Sequence, residues 1–503
     1  ESPADWETML NKTISKAQTD KKAKQKTRQW WNSYWKRSYI FIDSGKIGSD
    51  YWKVGRNYQL FRYMLGCNAY GSEPTKFNGG LFTFDPVHVD STRVFTPDFR
   101  LWGGGTMTAQ NQRLVYFPML KSGDFDMMKP QFDFYERMLG NAKLRTKVYW
   151  NHEGACFSEQ IENFGLPNLA EYDWKPRHEG FPVGVDSNPW LEYTWDTALE
   201  FALMMFDAHL YNNEPIVPHL PFIESLLTFF DEHYSYLALR RGTNKLDGNG
   251  HLVLYPGSAC ETYKMATNAT STVAALKVIT EKLLELPELD AAQREHWSGF
   301  LKRIPPISHR EVQGKKTISP AKMWERINNS EVPSLYPVYP WRIYGIGQPE
   351  LQTAINTYLY DPEAIEFRSH IGWKQDNIFA ACLGLTEEAE RLTLLKLSDG
   401  PHRFPAFWGP GFDWTPDHNW GGSGMIGLQE MLLQTSGDSI LLFPAWPENR
   451  DVHFKLHAPK QTTVEVTLRN NKIELMQIEP KAREKDIVIC LPSHLNHKSF
   501  YHE

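Results

Sequence analysis

Two acidic residues stand in loops whose composition could support acid–base chemistry. Asp417 lies in the stretch 411–422, where polar and aromatic residues end in a Gly-Gly pair before an apolar helix. The glycines are expected to turn the backbone tightly and so hold Asp417 on a short loop beside a rigid helix. Glu261 follows Cys260 in a second loop, at a predicted helix start. Apolar neighbours disfavour the charged form of a carboxyl group, which would raise the pKa of Glu261 toward that of a general acid.

Each of these residues also has a purely structural interpretation. Asp417 and Asn419 could cap the helix that follows them, because their side chains accept hydrogen bonds from helix-terminal amides. Glu261 could lie in the first turn of a helix and interact with its dipole. The local pattern alone leaves both alternatives open.

The composition narrows the class of ligand. The chain has 503 residues, of which 41% are apolar and 23% charged, and a formal net charge of −6. These values are typical of a globular protein and favour neither nucleic acid nor a membrane as partner. Five scattered cysteines indicate neither a disulfide framework nor a metal cluster, so no cofactor is expected.

Aromatic residues in loops favour a sugar ligand. They make up 14% of the chain, and many of the 18 tryptophans stand in Gly- and Pro-rich loops. Flat aromatic faces suit the C–H faces of sugars, although the same residues can simply pack the loops. The candidates for stacking are Trp408, Trp414 and Trp420.

The elements that must position these loops are predicted to be mostly helical. Apolar residues recur at helical spacing in roughly ten to twelve segments, and long loops separate alternate pairs. This succession indicates an all-α body, a closed ring of helical hairpins whose long loops share one rim. From about Val452 the period becomes two, which predicts a small all-β module with a hairpin turn at Asn470-Asn471. We therefore predict a helical linker at 1–40, a catalytic helical domain at 41–448 and a β-sandwich-like domain at 449–503.

Several motifs occur together in the order of a known family. They are Asp417-His-Asn-Trp-Gly-Gly, Glu430-Met-Leu-Leu-Gln434, Leu441-Leu-Phe-Pro-Ala-Trp-Pro447, Ala259-Cys-Glu261-Thr262 and Asn111-Gln-Arg-Leu-Val-Tyr-Phe-Pro118. With them the chain resembles the α-L-fucosidases and α-L-galactosidases of glycoside hydrolase family ninety-five and related bacterial proteins. The resemblance implies an (α/α)6 barrel with a trailing β domain. It also implies a β-sandwich domain before residue 1, because residues 1–40 look like the linker that follows that domain in the family.

Carried over by motif, the resemblance assigns three catalytic residues. Glu261 becomes the general acid, Asn111 the water-activating base, and Asp417 the carboxylate that assists Asn111. The implied reaction is single displacement with inversion. Arg342 and Glu159 stand in comparable loops as possible hydroxyl binders, with solvent exposure as the alternative for each. Further candidate sugar contacts are Asn78, Trp341 and Asn419.

These patterns predict an inverting exo-acting glycoside hydrolase that removes a terminal α-L-fucose, α-L-galactose or α-L-rhamnose type of sugar. A changed loop at 339–345 leaves the sugar open. One alternative is a carbohydrate-binding protein that has lost the base, since Ala109 stands where the family has a second asparagine. A polysaccharide lyase is another. Because polymeric glycans lie outside the cytoplasm, a periplasmic or extracellular location is expected.

Overall fold

A computed structural model describes residues 2–68, 71, 73–76, 80, 82, 85–96, 99–102, 107–167 and 179–491. Within these ranges the helices are α1 Pro3–Thr19, α2 Ala23–Arg37, α3 Asp50–Asn68, α4 Ala109–Tyr116, α5 Pro118–Ser122, α6 Lys129–Trp150, α7 Thr197–Asn212, α8 Leu220–Arg240, α9 Thr270–Glu285, α10 Ala291–Arg303, α11 Leu351–Tyr360, α12 Pro362–Glu366, α13 Asp376–Cys382, α14 Thr386–Lys396 and α15 His418–Leu432. The strands are β1 Tyr39–Ile42, β2 Met107–Thr108, β3 Gln160–Ile161, β4 Gly257–Ala259, β5 Tyr263–Ala266, β6 His309–Val312, β7 Lys315–Ile318, β8 Arg326–Ile327, β9 Leu433–Ser436, β10 Ser439–Leu442, β11 Val452–Ala458, β12 Thr462–Arg469, β13 Lys472–Glu479 and β14 Ile487–Ile489.

The most deeply buried helices form the centre of the molecule. Every residue of α4 and α13 is buried, as is every residue of α15 except Trp420. Contacts join α13 to α15, α15 to α4, α4 to α7 and α7 to α9. In addition α8 packs against α7, α10 packs against α9, and α14 packs against both α13 and α15. These helices therefore form one connected helical body, and its closure as an (α/α)6 barrel stays a prediction. No helix in the described ranges is long and apolar enough to cross a membrane.

The Gly421-Gly422 pair lies inside α15, so the predicted tight turn before this helix is wrong. A Cβ atom on Gly421 would lie 2.3 Å from the Phe61 ring, and one on Gly422 would lie 2.0 Å from the Leu114 carbonyl oxygen. The two glycines are needed because α15 approaches α3 and α4 too closely for any side chain. The first turns of α15 and α4 are also linked, because Asn419 and Asn111 contact the same oxygen of Asp413.

The strands after residue 449 form the β structure that the alternating pattern predicts. Strands β11, β12 and β13 pair antiparallel, and Asn470 and Asn471 take positive φ angles of 46° and 61° in the hairpin turn. The order of the sheet is β1-β11-β12-β13, because β1 pairs antiparallel with β11. The end of the predicted helical linker is thus a strand, which joins the two ends of the described chain.

Candidate active site

Glu261 lies in the turn of a β-hairpin, so its predicted place at a helix start is wrong. Strands β4 and β5 pair antiparallel with Ala259 opposite Tyr263, and the next helix begins only at Thr270. The Glu261 side chain is half-buried, and its Oε2 atom accepts a hydrogen bond of 2.8 Å from Asn329 Nδ2. The tight turn therefore presents this carboxyl group at the end of the small sheet β4-β5-β8.

The surroundings of Glu261 favour its protonated form. Burial raises the pKa of Glu261 well above its usual range, and the negative charges of Glu331 and Glu159 raise it further. Lys264 and the hydrogen bond from Asn329 act in the opposite direction. A carboxyl group that keeps its proton near neutral pH is suited to act as a general acid.

Glu331 and Glu159 connect this hairpin to the first turn of α4. The Gln110 side-chain amide donates to Glu331 Oε1, and the Gln110 backbone N–H donates to Glu159 Oε1 at 3.0 Å. The Thr262 hydroxyl donates to Glu331 Oε2. The alternative of solvent exposure for Glu159 is wrong, because this side chain is 0% exposed and accepts a hydrogen bond from the first turn of α4.

Asn111, the next residue of α4, contacts an acidic side chain that the sequence interpretation missed. Asn111 Nδ2 lies 3.4 Å from Asp413 Oδ2, and Asn419 Nδ2 donates to the same oxygen at 2.8 Å. The hydrogen-bond partner of Asn111 is therefore Asp413 and not the predicted Asp417. The one signal for Asp413 in the sequence is its place in the same aromatic loop as Asp417.

Asp413 and Asp417 form a second group of buried carboxyls. Burial raises the pKa of Asp413 to about 7, against hydrogen bonds from Asn419 and Trp102 that lower it. Burial, and then the charge of Asp413, raise the pKa of Asp417 well above its usual range. Asp417 Oδ1 accepts from the Trp420 backbone N–H at 3.1 Å, which confirms the helix cap. Asp417 Oδ2 is buried and has no hydrogen-bond partner among the described residues.

A loop around residues 370–374 contacts Ser330, the neighbour of Glu331, and approaches the Asp417 carboxyl group. On one side, Lys374 Nζ donates to the Ser330 hydroxyl at 2.9 Å, next to Glu331 in the chain. On the other, a Cβ atom on Gly372 would lie 3.5 Å from Asp417 Oδ2. The loop thus brings the neighbourhoods of Glu331 and Asp417 together.

Lys396 holds this loop in place. Its Nζ atom donates to the carbonyl oxygens of His370, Gly372 and Lys374 at 3.0, 2.8 and 2.8 Å. Burial lowers the pKa of Lys396 to about 7, although the charge of Asp417 acts in the opposite direction. Three carbonyl partners satisfy the three donors of an ammonium group, so the role of Lys396 is to position the loop.

The three predicted stacking tryptophans differ in their surroundings. Trp408 is 2% exposed, donates to the Ser398 carbonyl at 2.8 Å and belongs to the core, so a sugar-stacking role for it is wrong. Trp414 is buried against the edges of Phe95 and Phe99. Trp420 is half-buried near Asp417 and remains a candidate.

The other predicted sugar contacts differ in their distance from the carboxyl groups. Arg342 pairs with Glu430 at 2.5 Å. Because α15 rises about 1.5 Å per residue, Glu430 lies about 20 Å along the helix from Asp417. The predicted binding role of Arg342 is therefore wrong, since it lies at the far end of α15. Trp341 is buried beside a cavity of about 10 Å³ that Gln110 and Cys260 also line. Asn78 lies outside the described residues.

An aromatic pair that the sequence interpretation did not select lies beside this site. Trp373 is half-buried and Phe412 is 42% exposed, with ring centroids 5.2 Å apart. Trp373 follows Gly372, which approaches Asp417, so the pair offers an apolar surface next to the second carboxyl group. Among the described residues, no three His, Cys, Asp or Glu side chains are grouped to hold a metal ion.

Comparison with known proteins identifies the fold but no family. A family model described as "Domain of unknown function (DUF5703)" matches residues 1–40 only, and a comparison with curated proteins finds no match. The chain is similar to a solved structure titled "Putative kojibiose phosphorylase from human microbiome", with a TM-score of 0.56 and 13% identity over 94% of this chain. It spans 64% of the length of that protein. At this identity the similarity establishes a shared fold and nothing about activity.

Two further solved structures show weaker similarity. One is the GH78 family rhamnosidase of Bacillus sp. GL1, with a TM-score of 0.44 and 11% identity, covering 90% of this chain and 42% of that chain. The other is a glycosidase in complex with glucose, with a TM-score of 0.43 and 12% identity, covering 76% and 99%. These values are too low to support an argument about this chain.

Proposed function

We propose that the protein is an inverting, exo-acting glycoside hydrolase that removes a terminal sugar of the α-L-fucose, α-L-galactose or α-L-rhamnose type. The observation that carries this proposal is that the first turn of α4 contacts two groups of buried acidic residues, one that neighbours Glu261 and one that includes Asp413. Gln110 contacts Glu331 and Glu159, which neighbour Glu261, and the adjacent Asn111 contacts Asp413. An inverting glycosidase requires such an acid and a separate water-activating group on opposite faces of the sugar.

In this mechanism the protonated Glu261 carboxyl donates its proton to the leaving glycosidic oxygen. A water molecule attacks the anomeric carbon from the opposite face, and its proton passes to the carboxyl group of Asp417. Asp413 orients the Asn111 and Asn419 amides toward that water, and Asp417 accepts the proton in its ionised form, through its unpartnered Oδ2 atom. The raised pKa of Asp417 makes it the stronger base when it is ionised. A carboxylate that accepts from an amide also makes the amide oxygen a better acceptor for water.

Hydrolysis is favoured over phosphorolysis, the reaction named for the structurally similar phosphorylase. Phosphorolysis needs cationic donors for phosphate. The three buried lysines beside the carboxyl groups direct their ammonium groups to carbonyl and hydroxyl oxygens of the protein instead. They are Lys264, Lys374 and Lys396. Product analysis with and without inorganic phosphate separates the two reactions, because only phosphorolysis yields a sugar phosphate.

A second candidate function is carbohydrate binding without hydrolysis. It is favoured by Ala109, which contributes only its backbone N–H, a donor to the Glu159 carbonyl at 2.9 Å. We further propose that the substrate places the protein in the periplasm or outside the cell.

The test is the substitution Glu261→Gln, with Glu350→Gln as a control because Glu350 pairs with Lys316 away from the site. Sugar release from a panel of plant and host glycans is followed by NMR, which also gives the anomeric form of the product. Removing the general acid is expected to slow release by about 10²–10⁴-fold while glycan binding persists. Full activity in the variant removes Glu261 from the mechanism, and glycan-induced shifts without any product in the wild type select the binding protein.

A further inference from the structure

A groove lies beside the sheet β4-β5-β8, whose β4-β5 turn carries Glu261. It has a volume of about 490 Å³ and is open to solvent. Its lining includes Tyr255, which precedes β4, Met265 in β5, and Met323, Trp324 and Glu325, which precede β8. We call this feature the distal groove.

The distal groove combines apolar surfaces with polar edges. Met265 takes a positive φ angle of 50°, which is rare for a long side chain, and a bulge lies in the paired strand between Gly257 and Ser258. Met323 is 65% exposed, and the half-buried rings of Tyr255 and Trp324 flank the two methionines. A ligand with flat C–H faces and hydroxyl groups matches this lining better than a purely apolar one.

The charged groups of the distal groove are already compensated within the protein. Arg241 donates to the Tyr255 carbonyl at 2.5 Å and lies 5.5 Å from the centre of its ring. Asp247 accepts from the Asn249 and His251 backbone N–H groups at 2.8 and 3.0 Å. The Tyr255 hydroxyl donates to Glu325 at 3.4 Å. This balance favours a neutral ligand over a polyanion such as nucleic acid or an acidic polysaccharide.

The position of the distal groove relates it to the candidate active site. Met265 is four residues from Glu261, which is about 13 Å along an extended strand. The segment after Trp324 runs beside the hairpin and ends at the site, since the Asn328 N–H donates to the Thr262 carbonyl at 2.8 Å and Asn329 donates to Glu261. An extended chain whose terminal sugar reaches Glu261 could therefore continue into the distal groove.

We propose that the distal groove binds the part of a neutral oligosaccharide that lies beyond the sugar removed at Glu261. This inference rests on the proposed glycoside hydrolase function for the identity of the ligand. It assigns substrate length preference to residues 323–325 and Met265, outside the catalytic group.

The methionines of the groove serve as reporters for the test. The Glu261→Gln protein is labelled with ¹³C-methyl methionine, and the signals of Met265 and Met323 are assigned with Met→Leu variants. The probes are neutral plant and host oligosaccharides of several sugar units, and L-fucose, L-galactose and L-rhamnose as single sugars. The oligosaccharides are expected to shift both groove signals while the single sugars do not, and Met476 on β13, 41% exposed, is the reporter outside the groove.

A matched pair of variants and the wild-type activity decide between the outcomes. Met323→Arg should weaken oligosaccharide binding about tenfold, the loss of about 1.4 kcal/mol, while Met476→Arg leaves it unchanged. If the wild type releases sugar from an oligosaccharide that saturates the protein without moving the Met265 and Met323 signals, the groove proposal is overturned and the hydrolase proposal stands. If the Met265 and Met323 signals shift but no sugar is released, the groove proposal stands and the hydrolase proposal is overturned. If neither the methionine shifts nor sugar release is observed, both proposals are overturned.

Discussion

The burial of the Asp413 carboxyl group can be tested, because it makes the stability of the protein depend on pH. The Asp413 side chain is 4% exposed, and burial raises its pKa from 3.8 to about 7. A native state that holds this proton more tightly than the unfolded chain loses stability as the pH rises from about 4 through about 7. A shift of about 3 pH units corresponds to about 4 kcal/mol at 1.36 kcal/mol per unit.

The substitution Asp413→Asn removes this cost because an amide does not ionise, while its oxygen can still accept from Asn419. Between about pH 5 and about pH 8, which span about two of the three units, the variant should gain about 3 kcal/mol over the wild type. An unfolding entropy of about 2.1 cal/mol/K per residue converts this gain to about 3 °C for a chain of 503 residues.

The assay is thermal unfolding of both proteins at the two pH values, and it needs no substrate. Asp438→Asn is the control, because Asp438 is exposed and the Lys460 hydrogen bond lowers its pKa, so no gain at high pH is expected. Turnover by the Asp413→Asn variant should fall, although its stability rises. Asp413→Asn exchanges a charge-assisted acceptor for a neutral one, a loss of roughly 1 kcal/mol and about fivefold in rate. A variant whose melting temperature rises equally at both pH values, or falls at the higher one, would refute the reasoning.

Two further predictions concern the acid and the close approach of the helices. Burial is the largest cause of the raised pKa of Glu261, and the negative charge of Glu331 is the next largest. Glu331→Gln should therefore lower the pKa of Glu261 and move the high-pH limb of kcat/KM to lower pH. A limb that stays in place would contradict this coupling. Gly422→Ala should lower the free energy of unfolding by about 1–3 kcal/mol, because its Cβ would meet the Leu114 carbonyl at 2.0 Å. Gly140→Ala in α6, where no atom lies within 4 Å, should raise it by about 0.5–1 kcal/mol, and equal effects of the two substitutions in denaturant unfolding would argue against the packing explanation.

The predictions from the sequence succeeded where the signal was local. Alternating apolar residues identified the strands after residue 449, and Asn470-Asn471 identified their hairpin turn. The cap that Asp417 forms was also predicted, since an N-cap depends on a few neighbouring residues. Helical periodicity indicated a mainly helical body because the apolar face of a helix repeats along the chain.

Errors arose where a residue type has more than one structural use. A Gly-Gly pair is typical of a turn, but here it allows two helices to touch. A glutamate after a small loop is typical of a first helical turn, but Glu261 lies in a hairpin turn. Arg342 stands in a loop like those of the site, but the loop lies at the other end of α15.

The sequence by itself determined which side chains could carry a proton, that the body is mainly helical, and where the strands after residue 449 lie, because ionisable groups and long periodic patterns are written along the chain. The tertiary structure alone decided which of these groups meet. Asn111 and Asp413 are separated by 302 residues, and Glu261 neighbours Glu331 and Glu159 only through folding. Hydrogen bonds extend about 3 Å and burial depends on every neighbouring element, so the partner and the pKa of each acidic group follow from packing.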